Sequence, residues 1–179
     1  MPKTKLPEGD TLARIMANLR RLRPHLLSAA DGAWDHERYG LERFAEKNGP
    51  TLHKMGLSFL GGGCSRAVFY HVDFPSVVFK VEYRDRDGGD NAIEFRKYTE
   101  FKPVYRKHLP KVFDITPDSC ILMVQRVNGK EAEQHPDCYD ALALLRKIFS
   151  GVVYDIHDQN VVISKRGKPY LVDYAACYI

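Results

Sequence analysis

The stretch GVVYDIHDQNVVISKRGKPYLVDYAACYI, Gly151–Ile179, gathers the side chains best suited to chemistry. Asp155 and Asn160 are five residues apart, and Asp173 lies thirteen beyond Asn160. Two apolar runs, Val161–Ile163 and Tyr170–Val172, read as short strands, and the turn SKRGK would fold them into a hairpin. Asn160 and Asp173 then fall at the same end of that hairpin. Of these three side chains, one can orient an incoming hydroxyl and two can hold magnesium near phosphates. These are the requirements of phosphoryl transfer from a nucleotide.

Three upstream features could serve the same chemistry. LGGGCSRAVF, residues 60–69, puts Gly61, Gly62, Gly63 and Ser65 between two strand-like runs, where backbone amides can approach an anion. A tight turn would use the same glycines. A dinucleotide-binding reading fails, because a strand rather than a helix follows. Lys80 in SVVFKVEY alternates with apolar residues and could reach phosphates from a strand, or carry its charge to solvent. Glu94, in the helix after it, could pair with Lys80, or lie on a solvated face.

The elements that must position these residues change character near residue 50. From Asp10, an expected N-cap, Leu12, Ile15, Met16, Leu19 and Leu22 recur at helical spacing, and Pro24 should end or kink the helix. A second helical pattern runs from about Trp34 to Lys47, with Asn48-Gly49-Pro50 as its stop. LSFL, RAVFYHV and SVVFKVEY then read as strands joined by GGGCS and DFP. After the charged loop RDRDGGD, Asp90 caps a helix carrying Ile93, Phe95, Tyr98 and Phe101 and limited by Pro103. Strands follow near Val112–Thr116 and Cys120–Val127, then a helix from about Pro136 to Phe149.

Composition narrows the class. A chain of 179 residues with 44% hydrophobic content can bury one core, and no apolar run reaches the length of a membrane span. MPKTKLPEGD lacks an apolar signal core, which points to a cytoplasmic protein. Cys64, Cys120, Cys138 and Cys177 are scattered and read as reduced thiols. His135 and Cys138 are too few for a structural zinc site. The net charge of +4 is mild, and the basic run Arg20–Arg23 reads first as a solvated helix face, so direct nucleic-acid binding is not expected.

Taken in order, these residues resemble the protein kinase-like family. Asp155 and Asn160 in DIHDQNVVI match its catalytic loop, and Asp173 in LVDYA its metal-binding acid. Gly61–Arg66 corresponds to the glycine-rich loop, Lys80 to the strand lysine and Glu94 to its helix partner. LMVQRVNG resembles the hinge strand that holds adenine by backbone bonds, implicating Gln125 and Val127. Within the family, KMGLSFLGGGCSRAVF, VVFKVEY, LPKVFDI and LRKIFSGVVYDIHDQNVVISKRGKPYLVDYA are similar to the early serine/threonine protein kinases of T7-like bacteriophages, over roughly residues 54–176.

The resemblance implies an α+β kinase-like fold. It comprises a helical extension over residues 1–50, a five-stranded antiparallel N-lobe at about 54–127 and a minimal C-lobe at about 130–179. It also implies ATP and Mg2+ as cofactors. The activity would be that of a phage-encoded serine/threonine kinase in the host cytoplasm, with host transcription or RNA-processing proteins as substrates.

The chain departs from the family pattern in several places. Arg66 replaces the third glycine, and DYA stands for DFG, with Ala175 and Ala176 supplying no glycine. Tyr154 precedes Asp155, and His157 follows two residues later, where it could steady the transferred group or only pack. Asp158 is the weaker catalytic candidate, because Ile163 stands five residues beyond it. Six residues follow Asp173, so no activation segment or peptide-gripping helices are expected. A pseudokinase-like binding protein is therefore a second reading, and a small-molecule phosphotransferase, prompted by His157, a third.

Overall fold

The computed structural model describes residues 4–32, 37–84 and 89–175. Trp34, residues 85–88 of the charged loop, Ala176 and Cys177 lie outside them. Met1–Ala92 and Phe113–Val124 form one compact unit, and Ile93–Val112 and Gln125–Ile179 a second.

In the first unit, helical spacing of apolar residues produces α1 (Gly9–Asp31), whose buried stripe is Ile15, Met16, Leu19, Leu22, Leu26 and Ala30. One expectation fails here and a second is narrowed. Glu8, not Asp10, is the N-cap residue, and Asp10 lies in the first turn, where its charge suits the helix dipole. Pro24 does not end the helix. A proline inside a helix costs roughly 3 kcal/mol, but Leu22, Leu26 and Ala30 are buried on both sides of it and hold the helix together.

The same correction applies to α2 (Glu37–Lys54), which runs through Asn48-Gly49-Pro50. Leu41 and Leu52, on either side of Pro50, belong to one core cluster, so ending the helix there would expose Leu52. The Asn48 side chain donates to the Phe44 carbonyl (2.9 Å) inside the helix instead of terminating it.

Five strands form the sheet of this unit: β1 (Leu57–Gly62), β2 (Arg66–His71), β3 (Phe74–Glu82), β4 (Val112–Ile115) and β5 (Ile121–Gln125). They are antiparallel, in the order β1-β2-β3-β5-β4. Val77, Phe79 and Val81 of β3 are fully buried, in one cluster with α1, α2 and Phe69 of β2. Arg20 of α1 bonds Asp118 in the β4–β5 turn at 3.2 Å. Burial alone would raise the Asp118 carboxyl, but hydrogen bonds from Thr116, Arg20 and the Cys120 amide hold it well below the usual carboxylate range.

The second unit holds α3 from Ile93 onward (helix Asp90–Glu100), α4 (Pro103–Arg106), β6 (Gly129–Glu131), α5 (Cys138–Ile148), β7 (Val161–Ser164) and β8 (Pro169–Leu171). Asp90 is the first residue of α3 rather than its cap. Short β6, an exposed Gly-Lys-Glu, was not foreseen, because no apolar alternation marks it. It pairs with β7, and β7 with β8. A Cβ on Gly129 would lie 2.1 Å from the Ile163 carbonyl oxygen, so only glycine permits this approach. Leu145, Phe149, Val161, Ile163, Leu171 and Tyr174 form the core of the unit. Among the described residues, no helix is long and apolar enough to cross a membrane.

Candidate active site

The loop before β7 carries Asp155 and His157, and α5 fixes that loop. Arg146, in the last turn of α5, donates from Nε (3.2 Å) and from its terminal nitrogen (2.9 Å) to the Ile156 carbonyl. Ile156 itself is buried, so the residue between Asp155 and His157 is anchored at side chain and backbone. Both flanking side chains stay half-exposed, at 45% for Asp155 and 43% for His157. His157 Nε2 lies 3.7 Å from Asp155 Oδ1, and its Nδ1 lies 3.7 Å from Asp158 Oδ1. The chain then makes a single 3-10 turn, Asp158–Asn160. Asn160 Nδ2 donates to both the carbonyl oxygen and Oδ2 of Asp155, each at 3.3 Å.

The β7–β8 hairpin brings in the second acid. Val161 pairs with Leu171, and the ladder extends one step further, from the Val172 amide to the Asn160 carbonyl at 2.8 Å. Asp173 therefore follows directly on the residue bonded to Asn160. Two contacts hold the chain beyond it. Lys97 of α3, itself buried, donates to the Tyr174 and Ala175 carbonyls at 3.4 and 3.3 Å. The Tyr174 ring is buried against Phe101, at 6.4 Å between centroids. The Ala175 amide also donates to Asp173 Oδ1 (3.4 Å).

The donors suit magnesium better than a tighter, all-protein site. Magnesium takes one or two protein oxygens and completes its shell with waters and phosphate. Asp173 supplies a carboxylate. Asn160 has its nitrogen committed to Asp155, which leaves its carbonyl oxygen as the atom able to ligate. Among the described residues, no group of three or more His, Cys, Asp or Glu side chains is placed to hold a metal.

In the first unit, the glycines divide into different roles. A Cβ on Gly62 would lie 2.4 Å from Leu41 of α2, so this glycine lets the helix pack on β1. Gly61 and Gly63 have open space. Gly63 donates its amide to the Arg66 carbonyl (2.9 Å), closing the hairpin. Ser65 is buried and its hydroxyl bonds Asp90. Lys80, 5% exposed, lies opposite Val68 in the β2–β3 ladder. Glu94, fully buried, belongs to the second unit. Gln125 donates its amide to the Lys111 carbonyl (2.7 Å), while Val127 lies in the connection between β5 and β6.

Sequence reasoning missed a buried polar knot at the start of α3. Glu82 accepts the amides of Asp90 (3.0 Å) and Asn91 (3.1 Å), capping the helix from a strand. Asn91 Nδ2 donates to the Lys80, Ser119 and Cys120 carbonyls, all at 3.1 Å. Arg146 and Lys97 were missed too. Each looks like an ordinary charge near a helix end, and only the fold shows the carbonyls it serves.

No family model and no curated protein matches the chain. Among solved structures it is similar to WbdD, co-crystallised with a kinase inhibitor, at 15% identity and a TM-score of 0.48. The match covers 65% of this chain and 32% of that one, so this chain spans about a third of its neighbour's length.

Proposed function

We propose that this protein transfers the γ-phosphoryl group of Mg-ATP to a serine or threonine hydroxyl of another protein. The observation that carries the reading is the local cluster in the second unit. Asp155 is half-exposed and fixed by Asn160, and Asp173 follows the residue bonded to Asn160. Magnesium, when bound, would neutralise charge on the phosphates. Asn160 and Asp173 would be its protein ligands. Asp155 orients the acceptor hydroxyl and takes its proton as the new P–O bond forms and the bond from the γ-phosphorus to the bridging oxygen breaks, releasing ADP. His157, half-exposed beside Asp155, can steady the transferred group. Gly61, Gly63, Ser65 and Lys80 are assigned to the phosphates, with Glu94 keeping the role the resemblance gives it. Gln125 and Val127 are assigned to the adenine, with Val127 better suited because the Gln125 amide is already engaged.

The phage origin and the host targets rest on the resemblance of the quoted segments. The test is incubation with γ-labelled Mg-ATP and a bacterial lysate, followed by acid hydrolysis of the labelled proteins. Phosphoserine or phosphothreonine on discrete bands is the expected result. Label only on small molecules would favour the phosphotransferase alternative. Absence of both label and ATP binding would favour a binding protein without catalysis.

A further inference from the structure

The run Arg20–Arg23 reads from sequence as one basic face, but the fold divides it. Arg20 pairs with Asp118, and Arg23 donates to the Glu82 carbonyl at 2.7 Å. Arg21 points elsewhere. With His25 of α1, and with Arg43 and Lys47 of α2, it lines a cavity of about 700 Å³ between the two helices. Leu22 and Phe44 contribute apolar surface to its floor. The lining residues recur every three or four positions on both helices, and among the described residues no acidic side chain lines the cavity. Glu42 and Glu46 lie one position off that stripe on α2.

Among the described residues, none of Arg21, His25, Arg43 and Lys47 makes a hydrogen bond or an ion pair. Arg21 and His25, and Arg43 and Lys47, are each spaced i, i+4. On α2 that spacing sets the like charges of Arg43 and Lys47 side by side, a destabilising arrangement unless an anion lies against them. The cavity has the volume of a ligand site rather than of a packing defect.

We propose that the α1–α2 groove docks an acidic helical segment of a partner protein. Carboxylates at i, i+4 on such a segment repeat every ~6 Å, which matches the spacing of Arg43 and Lys47 on the α2 wall, with Arg21 facing from α1. Apolar residues on the same face would seat on Leu22 and Phe44, as in other helix-in-groove complexes. Single-stranded nucleic acid fits less well, because it needs successive aromatic platforms and, among the described residues, Phe44 is the only Phe, Tyr or Trp in the lining. This inference does not depend on phosphoryl transfer.

The test uses the full chain and a fluorescent helical peptide of roughly 15 residues, with Glu at every fourth position and Leu on the adjoining face. A second peptide carries Gln for Glu. The expected result is saturable, salt-sensitive binding of the Glu peptide. Binding should weaken about tenfold or more in the variant R43E/K47E and recover when that variant meets a Lys-for-Glu peptide. Both positions are exposed, and circular dichroism checks that the variant folds. Equal binding of the Gln peptide to the unmodified chain would overturn the proposal, and this arm needs no variant. So would an unchanged affinity in R43E/K47E. Displacement of the peptide by tripolyphosphate or a single-stranded oligonucleotide at equal concentration would overturn the assignment to an acidic protein segment.

Discussion

Asn91 and Asn160 each sit beside an acid, Glu82 in the first case and Asp155 in the second. Around Asn91 every group is spent. The asparagine is fully buried, its amide nitrogen meets three carbonyls, and Glu82, 5% exposed, caps two helix amides. Around Asn160 the acid is half-exposed, and the asparagine side chain commits its nitrogen to that acid. The difference separates a polar cluster that holds a fold from one able to meet a ligand. The first satisfies all its donors and acceptors internally, whereas the second leaves Asp155 and His157 half-exposed and borrows its rigidity from neighbours such as Arg146.

The largest effect that sharpens this contrast is on catalysis. Asp173→Ala should reduce phosphoryl transfer about a thousandfold by removing a metal ligand, with a melting temperature near that of the unmodified protein. Transfer at the original rate would remove Asp173 from the site. Next comes Asn91→Ala, which leaves buried carbonyls without donors and should cost about 3 kcal/mol of stability in a denaturant titration. An unchanged midpoint would show that the first cluster is not structural. Arg146→Met should lower kcat about tenfold while leaving KM for ATP unchanged, because it loosens the backbone between Asp155 and His157 rather than touching nucleotide. Unchanged kcat would show that the loop is fixed by other contacts.

The smallest effect concerns histidines. Burial lowers the affinity of the His71 ring for a proton below its ordinary value of 6.5, with the Arg14 charge acting in the same direction and Asp73 opposing. The unfolded chain therefore takes up this proton more readily than the folded one. The contribution of His71 is fully present above about pH 6.5 and is lost as the pH falls through and below that value. The melting temperature should drop on acidification, and the slope should flatten by a few degrees in His71→Gln. A variant with the original slope would assign the acid sensitivity to other groups.

Much of this arrangement was legible in the sequence where one physical signal dominated. Alternating apolar residues marked β2 and β3, and the turn SKRGK fixed a hairpin whose register sets Asn160 beside Val172. The helix ends were not legible. Proline and Asn-Gly are local stop signals, and burial of Leu26 and Leu52 beyond them is a tertiary effect that overrides them. Nor could sequence distinguish Gly62, which admits Leu41, from Gly61 and Gly63, since all three read as turn residues. The supporting contacts of Arg146, Lys97 and Glu82 to backbone groups far along the chain leave no periodic trace.

The most direct test compares Asp155→Asn with the unmodified chain in transfer of labelled γ-phosphate from Mg-ATP, with melting temperature read on the same preparations. The account predicts that the variant melts like the original and transfers at least about a hundredfold more slowly. A folded Asp155→Asn variant that labels the same proteins at the original rate would contradict it.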